Sequence, residues 1–308
     1  VDTAMNPFAQ QKALVAGQSY VPLTDRTVLR LRGTDRISWL DSLTSQRILP
    51  GASTQTLVLD PHGHVEYDLH VVDSADTTWL IVLADSAEAL QKYLDSMRFL
   101  LDVSVERVEE AVFWVPRREV VADHPTWLIP VEFAGLGSTE SGTDRGGSAA
   151  KYVPQRPGAF VGAEVIGWHP DEAPASQWAY DALRIAAGVP QVGVDTDPKT
   201  LPHELGMIGP AVHLAKGCYR GQETVARLHN MGRPPRRLIL AHFDGALPDP
   251  GAQIVRGERV VGRVGSVAHH YELGPIGLAL VKRSIPLDEQ LSAGGIALSQ
   301  EQIVTADL

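Results

Sequence analysis

Cysteine occurs once in these 308 residues, at Cys218, inside the octapeptide KGCYRGQE at positions 216–223. A thiol without a second cysteine in its chain forms no internal disulfide, so its chemistry is that of the thiolate, which neighbouring cations and helix N-termini favour. Lys216 and Arg220 flank the sulfur, and Gly217 and Gly221 lend the segment backbone freedom. The helix-forming run QETVARLHNM begins at Gln222 and places Cys218 just ahead of a helix start, where partial positive charge gathers. Together these residues describe a reactive thiol, although a solvated loop cysteine shares the pattern. Glu223 and Arg227 stand four apart, the spacing of a surface ion pair as much as of a functional carboxylate.

The charge around the thiol is distinctive. Residues 214–237 carry six cations (Lys216, Arg220, Arg227, Arg233, Arg236, Arg237) and one anion, Glu223, in a chain whose net charge is -10. A basic island on an acidic protein points to an anionic ligand such as a phosphate, a polyglutamate tail or an RNA strand, with a solvated basic face as the alternative. Only Tyr219 supplies an aromatic ring within the motif, fewer than single-strand binding surfaces use.

The elements that must hold this loop are legible in part. VLRLRG (28–33) alternates as a strand, followed by a helix capped by Thr34 or Asp35 with Ile37, Leu40 and Leu43 on one face. A hairpin turns at 61–64, and its second arm sets Val65, Tyr67, Leu69 and Val71 against Glu66, Asp68 and His70, which predicts one buried face. TWLIVLA (78–84) is the next strand, and Asp85 with Glu88 forms a capping-box pair opening a helix that carries Leu90, Tyr93, Leu94 and Met97. Further strands are expected at 103–108, 112–116 and 126–133, and a flexible linker at 135–150. Residues 176–188 read as a capped helix ending at Gly188, and from Pro234 onward short strands and turns predict a small antiparallel barrel or sandwich. The domain expectation is an N-terminal α+β unit (1–112), a second α+β unit ending in the cysteine motif (113–233) that is interleaved with the first in one reading, and a C-terminal β-barrel (234–308).

Composition narrows the classes. Hydrophobic residues make up 44% and charged residues 21%, and no run approaches the ~20 apolar residues of a membrane span. A single cysteine and the absence of a signal-like start in VDTAMNPFAQQKALVAG lead to the expectation of a soluble, cytoplasmic protein. His62 and His64, and His269 and His270, lack the further ligands of a metal site, so no preformed metal centre is expected. One thiolate cannot hold an iron–sulfur cluster alone, since such centres commonly take four protein ligands.

KGCYRGQE followed by TVAR, with RIAAGVP about thirty residues upstream and GTDRISWLDSLTSQ near the start, closely resembles the YgfZ family of folate-binding, iron–sulfur-related proteins. That family is related to the tetrahydrofolate-dependent aminomethyltransferase, or T-protein, of glycine cleavage. The resemblance implies a ring-like arrangement of two related α+β domains and a C-terminal antiparallel barrel, with tetrahydrofolate in a central channel. It further implies Cys218 as the essential thiol, a loop shaped by Lys216, Gly217, Tyr219, Arg220, Gly221, Gln222 and Glu223, Asp68 as a second catalytic residue, and Arg184 and Arg227 as cofactor-binding residues. Implied partners are folate or another anionic small molecule, iron–sulfur client or assembly proteins, and tRNA.

The T-protein pattern has a glutamate where this chain has Ala186, and an aspartate pair where it has Tyr67 and Asp68. A carboxylate accepts from two adjacent pterin donors and a methyl group from none. The sequence therefore ranks an iron–sulfur assembly or repair factor first and an aminomethyltransferase second. An RNA-binding or scaffold protein using the basic segment comes third.

Overall fold

The computed structural model describes residues 6–133, 160–168 and 170–304. The linker expected at 135–150 lies outside them. Three antiparallel sheets organise the chain. The first has five strands in the order β3 (Ser53–Leu59), β4 (Val65–Ser74), β5 (Thr77–Leu83), β2 (Arg26–Arg32) and β6 (Ser104–Val108). Helices α2 (Arg36–Leu43) and α3 (Ala84–Ser96) pack on it through Leu40, Leu43, Leu90 and Leu94. Alternate strand positions such as Leu29, Leu31, Leu80 and Val82 join these helical leucines in one core, while Val28, Val72 and Ile81 on the opposite face pack into a second core.

The second sheet runs β1 (Val21–Pro22), β7 (Val112–Val115), β9 (Ala163–Ile166) and β8 (Thr126–Leu128). Val21 pairs with Trp114, so the N-terminal segment with α1 (Pro7–Val15) joins this later sheet. The strand expected over 126–133 stops after Leu128, close to Pro130, which has no ladder donor. Beyond it come α4 (Gln177–Ala186), a 3-10 turn (Pro202–Leu205) and α5 (Gln222–Met231). The third sheet is a closed barrel ordered β10 (Arg236–Phe243), β13 (Gly274–Lys282), β12 (Arg259–His270), β11 (Gln253–Arg256), β14 (Leu291–Ala293) and β15 (Ile296–Gln302).

Two expected caps are replaced by other contacts. Asp35 sits at the α2 N-cap without a capping bond, because its carboxylate accepts from the Asp102 N–H at 2.9 Å instead. The α3 helix starts at Ala84, which carries Asp85 into the first turn, and Glu88 pairs with Lys92. The α4 cap forms as its sequence predicts: Ser176 Oγ accepts from Ala179 N, and Gly188 closes the end at φ +70°.

A core shared by the β3–β4 hairpin, α4, α5 and the barrel welds the barrel to the rest. Leu238, Leu240, Ile276 and Leu278 of the barrel meet Ile185 of α4, Leu57 and Val65 of the β3–β4 hairpin, Val225 of α5, and Tyr219 of the cysteine motif. Buried Arg184 joins in by charge, bonding Asp195 at 3.3 Å and Ser266 Oγ of the barrel at 2.9 Å. Burial pushes its pKa down, but Asp181 and Asp195 outweigh that and raise it.

Candidate functional site

Residues around Cys218 alternate between inward anchors and an outward sulfur. Lys216 buries its side chain and donates from Nζ to the carbonyls of Asp41, Thr44 and Gln46, the last two at 2.8 Å, with the Asp41 carboxylate at 3.3 Å. These carbonyls close the C-terminal end of α2, where a cation is favoured. Burial lowers the Lys216 pKa, against the pull of Asp41. Tyr219 enters the shared core, while Arg220 donates to Glu66 at 3.0 Å and lies 5.5 Å from the centre of the Tyr93 ring. Gln222 Nε2 returns to the Lys216 carbonyl at 3.2 Å, closing the loop on itself. Cys218 is exposed between these anchors.

Gly221 is required where it stands. It caps α5 at φ +80°, and a Cβ there would lie 2.5 Å from the Asp60 carbonyl oxygen and 2.9 Å from Gly63 Cα. The thiol loop thus packs on the tip of the β3–β4 hairpin, where Asp60 Oδ1 accepts from the His62 and His64 N–H groups. Gly217 has open space around its missing Cβ, so the two glycines are unequal.

The basic island of the sequence is largely internal. Lys216 is spent on α2, Arg236 on Asp197 and Glu204, and Arg237 on the carbonyls of Arg283 and Ile285 inside the barrel wall. Arg227 and Arg233 stand exposed, and Arg220 is half-buried against Glu66. The formal +5 therefore overstates the charge an RNA strand would meet. It also overstates the positive surroundings of the sulfur, since the Lys216 charge faces the protein interior.

A separate cavity opens between the first two sheets and α4. Its walls include Arg26, Gln55, Asp68, His70, Trp127 and Glu164, with Tyr180 and Arg184 contributed by α4. The hairpin face read as solvent-directed is here turned inward at Asp68 and His70, because the second sheet covers it. Gln55 Nε2 donates to both Asp68 oxygens at 3.0 and 2.9 Å, and His70 Nδ1 lies 2.8 Å from Glu164 Oε2. The His70 ring stacks on Trp127 at 3.6 Å, and its Nε2 is 3.9 Å from Asp68 Oδ2.

Burial pushes the Asp68 pKa above the usual carboxylate range, against the charge of His70 and the Gln55 bond. For Glu164 burial also acts upward, but the His70 charge and hydrogen bond together with Arg26 hold it below that range. The pair thus differs in proton affinity across one imidazole, an arrangement able to hold and pass a proton inside a largely buried site. Gln55 Oε1 is buried without a partner, leaving one acceptor open beside Asp68.

The structure brings Asp68 and Arg184 to this cavity, while Cys218 stands on the other loop system and Arg227 lies on the exposed face of α5. Ala186 lines a neighbouring cavity with Trp114, Phe160, His270 and Glu301. Gln55, His70, Trp127, Glu164 and Arg26 escaped sequence reasoning. Glu164 had a signal, an acid inside the apolar strand AEVI. Among the described residues, no group of three or more His, Cys, Asp or Glu side chains is placed to hold a metal, and no helix is long and apolar enough to cross a membrane.

Comparison with known proteins places this geometry. Residues 236–303 match the family described as CAF17, C-terminal beta-barrel domain. The human mitochondrial iron-sulfur cluster assembly factor IBA57 is 29% identical over 279 residues, covering 84% of this chain and 76% of the relative. The tRNA-modifying protein YgfZ of Colwellia psychrerythraea is 27% identical over 135 residues, 42% of this chain and 41% of its own length. In fold, the glycine cleavage system aminomethyltransferase T from Bartonella henselae superposes with a TM-score of 0.72 at 16% identity, over 97% of this chain and 89% of that one. The α/β sheets and closed six-stranded barrel are accordingly a glycine-cleavage T-protein-like fold, and the sequence is similar to the iron–sulfur cluster assembly factor IBA57 and to YgfZ.

Proposed function

We propose that this protein is an iron–sulfur cluster assembly or repair factor that acts through the Cys218 thiol. The observation that carries this reading is a single exposed sulfur on a loop whose other members are fixed: Lys216 on α2, Tyr219 in the core, Arg220 on Glu66. A ligand atom held outward on braced backbone meets an incoming iron centre without ordering cost. Iron or a cluster is the cargo here, and since Cys218 supplies one thiolate, the remaining ligands come from the other protein. The names of the human and Colwellia relatives support cluster assembly and tRNA-linked clients respectively. With its lone free thiol, the chain suits a reducing compartment such as the cytoplasm.

Tetrahydrofolate suits the central cavity. Asp68 and the open Gln55 Oε1 offer neighbouring acceptors, and Ile129, Phe133 and Phe160 offer an apolar wall for a flat ring. When bound, the folate would supply a one-carbon carrier. Asp68 with Gln55 would orient its donors, the sheets exclude water, and His70 with Glu164 hold a proton nearby. Because Ala186 faces a different cavity, pairing of the pterin rests on Asp68. The aminomethyltransferase reading has its support in the fold alone.

The test is complementation of cells lacking this protein, read as the activity of a cluster-dependent enzyme. Cys218→Ser is expected to lose at least tenfold of that activity while its melting temperature stays within about 1 °C of the parent, as exposed substitutions do. Full complementation by Cys218→Ser would overturn the reading.

A further inference from the structure

Three large apolar side chains in a row stand in water at the end of α3. Phe99 is 82% exposed, Leu100 103% and Leu101 45%. Isolated exposed apolar residues are ordinary on protein surfaces, but a contiguous trio at this exposure marks an interaction site. Phe99 also has φ +49°, a left-handed conformation that bulky residues seldom adopt and that persists only where the surroundings impose it.

The surroundings do impose it. Arg98 Nη1 donates to the Val103 carbonyl at 3.1 Å, Leu101 N to the Arg98 carbonyl at 3.0 Å, and Val103 N to the Leu101 carbonyl at 2.9 Å. Asp102 is locked to the α2 entry, receiving the Thr34 N–H and hydroxyl and donating its own N–H to Asp35. A Cβ on Gly33 would lie 2.0 Å from the Asp102 carbonyl oxygen. These contacts tie down the backbone on both sides of the tip and leave its side chains facing solvent.

Its position relates it to the thiol. The Asp102 contacts sit at the start of α2, and Lys216 of the thiol loop grips the end of α2, eight residues or about 12 Å along the axis. The α3 helix supports both: Tyr93 lies against Arg220, and the Met97 carbonyl just past its end receives the Trp39 indole N–H at 3.0 Å. A standard protein interface covers about 800 Å² per side, roughly 30 Å across, so one partner spans both features. At the end of α2 that Lys216 grips, the α2–β3 loop exposes Leu49 and Arg47. Thiolate-ligated iron is anionic, so the exposed Arg47 complements a partner that carries it.

We infer that the Phe99–Leu100–Leu101 tip is the docking element for a protein partner that presents an apolar pocket beside its iron-ligating thiolates and thereby brings iron to Cys218. This rests on the thiol reading above and names the surface that reading requires.

The test uses the full chain with Leu100→Glu, Leu100→Met and Cys218→Ser, assayed side by side for complementation. Leu100→Glu is expected to lose at least fivefold of cluster-dependent activity with unchanged melting temperature and unchanged Cys218 alkylation rate, and Leu100→Met to retain it. In the same cells, a photocrosslinking p-benzoylphenylalanine at position 100 and one at position 47 are expected to capture the same cysteine-bearing iron protein, which one at Val260 on the barrel does not.

Full activity of Leu100→Glu beside an inactive Cys218→Ser overturns the dock alone, whereas an active Cys218→Ser defeats the thiol reading itself. Two further results overturn the proposal in favour of another occupant. One is parent chain that sediments with phosphatidylcholine–phosphatidylglycerol vesicles when Leu100→Glu does not. The other is a parent dimer in sedimentation velocity that Leu100→Glu dissociates.

Discussion

Lys216 shows how a motif residue is misread from sequence. A lysine two positions before a lone cysteine invites an electrostatic role, yet its ammonium is turned away from the sulfur and satisfied by carbonyls that α2 leaves open. Replacement by methionine would leave those carbonyls unpaired at a cost of about 1–3 kcal/mol. The measurement is urea unfolding together with amide exchange, and Lys216→Met is expected to speed exchange across residues 214–221 most of all. Unchanged exchange there would remove the clamp from the account. The position of Cys218 ahead of a helix was readable because α5 has strong local propensity. The direction of Lys216 was not, since it depends on α2, some 170 residues earlier.

At the level of elements, the β3–β4 hairpin touches both candidate regions: its tip supports the thiol loop, and its Asp68 and His70 enter the cavity. Alternation along β4 was visible in the sequence, but alternation identifies two faces without saying what covers the second one. The covering sheet includes strands on both sides of residues 134–159, which local patterning cannot bring together.

The tip also separates two glycines that look alike in sequence. Gly221→Ala must take a left-handed conformation and meets the Asp60 carbonyl, so it is expected to cost at least about 1–2 kcal/mol. Gly217→Ala, with open space, is expected to stay within about 0.5 kcal/mol. Thermal melts of the two variants check this, and equal losses would contradict the packing described.

Across the whole molecule, the barrel was predictable from its short strands and turns, and its closure into six strands answers the choice between barrel and sandwich. The shared core with Tyr219 explains why the motif precedes the barrel so closely: the chain passes from thiol loop through α5 into a wall of the same core. The cavity between the sheets is the second product of this assembly, and it yields a ligand prediction. Calorimetric titration is expected to show saturable tetrahydrofolate binding that Asp68→Ala weakens at least tenfold, with Ala186→Glu leaving it unchanged because position 186 faces the neighbouring cavity. Strengthened binding by Ala186→Glu would relocate the pterin.

The exposed sulfur has a consequence for how the protein responds to oxidants. Within these 308 residues a disulfide can form only between two copies, and it must join Cys218 to itself, giving a two-fold symmetric pair. Such a bond or a sulfenic acid occupies the atom through which the proposed function works, and a thiol reductant reverses either. On the proposed function, oxidising conditions would thus silence the protein at a single address, and reduction would release it again without resynthesis.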